Sequence, residues 1–132
     1  MINKLSVEIH NNAKSKGFFD EPKNIGEMLC LVHSEVSEAM EADRKDHYAI
    51  DMEERMAQIT ESYNGDVSQE QKDDDFKRVF TDRIKNSFED ELADVMIRVM
   101  DLAGFKGIDL EYHIKMKMRY NAMREHKHGK KY

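Results

Sequence analysis

Apolar residues recur every three or four positions through most of this 132-residue chain, a spacing that commits it to helices. Ile2, Leu5, Ile9 and Ala13 predict a first helix over about 2–16, closed by Gly17 and followed by a loop through Pro22. Asn24 with Glu27 resembles a capping arrangement for a helix over about 24–46. Its buried stripe is read as Ile25, Met28, Leu29, Val32, Val36, Ala39 and Met40. Ser87 with Asp90 opens a helix over about 88–103 that Gly104 closes, with Phe88, Leu92, Val95, Met96, Val99 and Leu102 inward. A fourth helix, about 109–126, carries Ile114 and Met118 inward. Between the second and third lie two weaker periodic stretches, Tyr48 to Tyr63 and Phe76 to Ile84, split by the turn-like Asn64-Gly65-Asp66-Val67-Ser68. Ser68 with Gln71 caps the later stretch. The expected fold is all-α: a four-helix core with an additional helical hairpin at about 47–86, in one domain over 1–132.

The length is enough to bury a core without disulfides. The single cysteine, Cys30, sits in an apolar stretch and reads as a buried small hydrophobe. No disulfide framework, signal-peptide core or membrane-length apolar run is present, so a soluble cytoplasmic protein is expected. The formal net charge of −6 is uneven. From His113 onward, seven Lys or Arg against Glu125 give +6, leaving −12 on the rest. An acidic body repels a nucleic-acid backbone, whereas a short basic end suits a small polyphosphate. The ten methionines read as core filler. His33 faces away from its acidic neighbours, and Asp73-Asp74-Asp75 reads as a solvated first turn.

Two carboxylate pairs interrupt the apolar stripes: Glu35 with Glu38, and Glu91 with Asp94. At i, i+3 spacing each pair projects from one helix face. If the two helices pack side by side, four like charges converge, an arrangement that is unfavourable without a cation. Oxygen ligands suit a hard divalent ion: Mg²⁺, Mn²⁺ or Ca²⁺. Arg98 follows Asp94 by one turn and reads equally as its ion-pair partner or as a guanidinium for a phosphate. Lys117, Tyr120, Asn121 and Arg124 form a polar stripe on the last helix, either a solvated face or a set of phosphate contacts.

ExxE on one helix and ExxD on a later one, within LVHSEVSEAMEADRK and FEDELADVMIRVMDLAG and followed by KMKMRYNAMREHKHGKKY, resemble the MazG-like all-α nucleoside triphosphate pyrophosphohydrolases. The resemblance covers most of 24–46 and 87–132. It implies a four-helix core, a Mg²⁺ site at Glu35, Glu38, Glu91 and Asp94, and a homodimer or dimer of dimers. It also implies hydrolysis of a nucleoside triphosphate to the monophosphate and pyrophosphate, with Glu35 or Glu38 as candidate catalytic base. Lys117 and Asn121, then Arg98 and Tyr120, are its candidate phosphate contacts. Residues 47–86 make the interval between the pairs longer than in compact members, so base and sugar preference do not carry over. Two rivals remain. A non-catalytic helical nucleotide- or protein-binding module would use the acids as ordinary helix charges. A di-iron bundle needs paired ExxH motifs, of which the chain has one, Glu125 to His128.

Overall fold

A computed structural model describes residues 1–125. Over these residues the fold is all-helical, with six helices and no strand: α1 Ile2–Ser15, α2 Ile25–Arg44, α3 Glu53–Glu61, α4 Gln69–Arg83, α5 Phe88–Lys106 and α6 Leu110–Ala122. Among them no helix is long and apolar enough to cross a membrane. The Lys127, Lys130 and Lys131 charges and the Glu125–His128 motif reach outside the described residues.

Local chemistry sets the helix starts. Asn24 Oδ1 accepts from the Gly26 and Glu27 N–H groups ahead of α2, at 2.8 and 3.4 Å. Ser68 Oγ accepts from Gln71 N–H at α4. At α5 the exchange is two-way: Ser87 accepts from Asp90 N–H, and Asp90 accepts from Asn86 N–H. Asp109 caps α6 through Tyr112 N–H. Each cap satisfies amides that have no partner inside the helix.

The chain forms two compact units, Cys30–Val95 and Met1–Leu29 with the chain from Met96 onward. In the Cys30–Val95 unit, α3 and α4 pack on each other, and the core holds Ala39, Ala42, Ile59 and Val79. Loop amides close the unit: Ile50 N–H to Arg83 C=O at 2.8 Å, Phe88 N–H to His47 C=O at 2.9 Å, and Ala49 N–H to the Glu89 carboxylate at 2.7 Å. Asp75 corrects one expectation. It is buried, in the second turn of α4, and accepts from Tyr63, Gln71 and Arg78. Those donors, Gln71 first, hold its carboxyl below the usual range.

In the other unit α1 packs against α6, and Met100 and Ala103 are buried. The His10, Phe19 and Phe105 rings cluster, and His10 Nδ1 bonds Asp101 at 2.9 Å. Here Gly104 departs from its expected role. It lies inside α5, which runs on to Lys106, and Gly107 at φ +64° follows the helix end. A Cβ at 104 would stand 2.6 Å from Ser6 O and 2.8 Å from His10 Cβ, so this glycine permits close backbone approach.

Burial differs from the sequence expectation at several stripe positions. Cys30 is exposed. So are Leu29, Val36, Met40, Leu92, Met96 and Met118, with Val36 and Met40 at 51% and 49%. Helical periodicity marks which residues share a face, but burial also needs something to cover that face.

Candidate metal centre

The acids that matter lie in the Cys30–Val95 unit, on α2 and α5. Glu35 stands between the buried Ala39 turn and the helix start, and is itself 7% exposed; Glu91, one turn after the Ser87 cap, is 5% exposed. Glu38 is on the rim, exposed. One carboxylate oxygen from each of Glu35, Glu38 and Glu91 lies within 4.8 Å of the other two. Asp94, half-buried one turn beyond Glu91, falls outside this closest set.

Glu91 is the unusual member. Among the described residues no hydrogen-bond donor or cation is assigned to its carboxylate. Burial pushes its carboxyl above the usual range, reinforced by the charges of Glu38, Asp90, Asp94 and Glu35. A buried carboxylate ordinarily has donors around it, as Asp75 does. At an effective dielectric of about 20, two ionised carboxylates about 5 Å apart repel by of order 3 kcal/mol. Either protons or a cation must offset that.

A divalent cation fits this donor set. All three ligands are hard oxygens, and there is no thiolate or imidazole among them. Oxygens about 2.1 Å from Mg²⁺ lie roughly 3–4.2 Å apart, a spacing compatible with three oxygens within 4.8 Å of one another.

The phosphate-contact candidates belong to the other unit. On α6 the Lys117 ammonium lies 5.1 Å from the Tyr120 ring centroid and the Arg124 guanidinium 5.9 Å. An aromatic face thus carries two cations. The Asn121 amide oxygen is buried and has no hydrogen-bond partner among the described residues. Arg98 is half-buried on α5. His33 lies outside the acidic triad, as its helical phase implied, and it is exposed rather than a structural histidine of the interior.

Ser34, which no motif singles out, donates its hydroxyl to Glu38 Oε1 at 3.2 Å. The available signal was its position one turn before Glu38. Compared with known proteins, the chain matches no family model, no curated protein and no solved structure.

Proposed function

We propose that this chain is a Mg²⁺-dependent nucleoside triphosphate pyrophosphohydrolase of MazG-like type, acting as a homodimer or dimer of dimers in the cytoplasm. The four-helix core, with residues 47–86 as an addition, belongs to the same reading. The observation that carries it is the convergence of Glu35, Glu38 and Glu91, two of them buried, with the Glu91 carboxyl raised by burial and by its acidic neighbours. The order of the ExxE and ExxD motifs supports the same choice over a generic cation site.

In this reading Glu35, Glu38 and Glu91 hold the ion, and Asp94 joins them as the fourth ligand of the motif. When bound, the cation neutralises phosphate oxygens and makes water a better nucleophile. Glu35 or Glu38 orients that water and accepts its proton. The α–β anhydride breaks, so the nucleoside monophosphate and pyrophosphate leave as the two products. Lys117, Asn121, Arg98 and Tyr120 are the proposed phosphate contacts; lysine and arginine stabilise charge on the departing pyrophosphate.

The oligomer draws support from the exposed apolar side chains. Val36 and Met40, one turn apart on α2, leave a stripe uncovered in a single chain.

The test is a panel of common and modified nucleoside triphosphates with Mg²⁺, scored for both pyrophosphate and orthophosphate. Pyrophosphate from at least one substrate, abolished by a chelator, is expected. Orthophosphate alone would place cleavage at the terminal phosphate, and absence of turnover across the panel would favour a binding module.

A further inference from the structure

Serine and threonine within helices commonly return their hydroxyl to the carbonyl one turn back. Ser6 does so to Ile2, Ser37 to His33 and Thr60 to Met56. Ser34 behaves differently. It sits inside α2, donating forward to a carboxylate, Glu38 Oε1, at 3.2 Å.

The recipient is the one member of the triad that packing does not fix. Glu35 and Glu91 are buried, whereas Glu38 is exposed and would otherwise sample many rotamers. One hydrogen bond to Oε1 restricts the side chain and leaves Oε2 available as a ligand. Groups that orient a ligating carboxylate in this way tune metal affinity as strongly as some ligands do.

We propose that Ser34 is a positioning residue of the cation site, its hydroxyl holding Glu38 toward Glu35 and Glu91. The inference rests on the divalent-metal reading of that triad. Ser34 touches neither substrate nor ion; it acts through Glu38. Because its side chain is exposed, replacing it leaves the fold intact.

The test is titration of the metal-free protein with Mn²⁺, following the free-ion electron paramagnetic resonance signal. Wild type, Ser34→Ala, Ser34→Thr and Glu38→Gln are compared, with melting temperature recorded for each. Ser34→Ala is expected to raise the Mn²⁺ Kd by roughly 10–100-fold, with its metal-free melting temperature unchanged. Ser34→Thr, which keeps the hydroxyl, should bind within about twofold of wild type on the same scale. A Ser34→Ala protein that binds like wild type while Glu38→Gln loses Mn²⁺ would overturn the positioning role and leave the metal reading standing. A wild type that binds no Mn²⁺ would overturn both.

Discussion

Glu91 concentrates the chemistry of this molecule in one side chain. Its carboxyl is raised above the ordinary 4.5 because burial and four neighbouring acids disfavour its charge. An acid with a raised folded pKa binds protons more readily in the native state than in the unfolded chain. Its ionisation therefore opposes folding fully above the folded pKa, and the penalty disappears as pH falls below the unfolded value. Metal-free Glu91→Gln should accordingly be more stable than wild type at pH 8, and the gap should close toward pH 4. Urea unfolding at a series of pH values measures it. A variant less stable than wild type by a constant margin across that range would mean the carboxylate is already compensated. The individual acids were legible from their i, i+3 spacing beside apolar stripes. Their unequal burial was not, since Glu35, Glu38 and Glu91 are chemically identical in a sequence and differ only in what packs around them.

Helix starts were readable because their causes are local. Asn24, Ser68 and Ser87 each cap through side chains within three residues, so the pattern lies wholly in the neighbouring letters. The end of α5 is not legible from neighbouring letters because its cause is not local. Gly104 is small for the sake of Ser6 and His10, almost a hundred positions away, and the stop comes at Gly107. Gly104→Ala separates the two explanations. Helix propensity alone would favour alanine by about 1 kcal/mol. The 2.6 Å approach to Ser6 O forces the backbones apart, and overpacking of this kind typically costs about 1–3 kcal/mol. Net destabilisation is expected in chemical denaturation, and a stabilised variant would show that α1 yields freely.

For the molecule as a whole, the apolar stripes described real helix faces but left open what covers them. Cys30, Val36, Met40 and Leu92 are exposed in one chain because periodicity records the demand for burial, not its source. If a second copy supplies the cover, sedimentation equilibrium should return a multiple of 15.5 kDa, and Met40→Lys should shift the population toward the single chain. A monomer at all concentrations would contradict that account.

The claim on which the rest depends is that Glu35, Glu38 and Glu91 form a divalent-cation centre. Calorimetric titration of Mg²⁺ into metal-free wild type and Glu91→Gln tests it directly. The account predicts saturable binding to wild type and at least roughly tenfold weaker binding to the variant, the scale expected when a metal site loses a supporting group. Saturable binding of equal affinity in both proteins, or none in wild type, would contradict it.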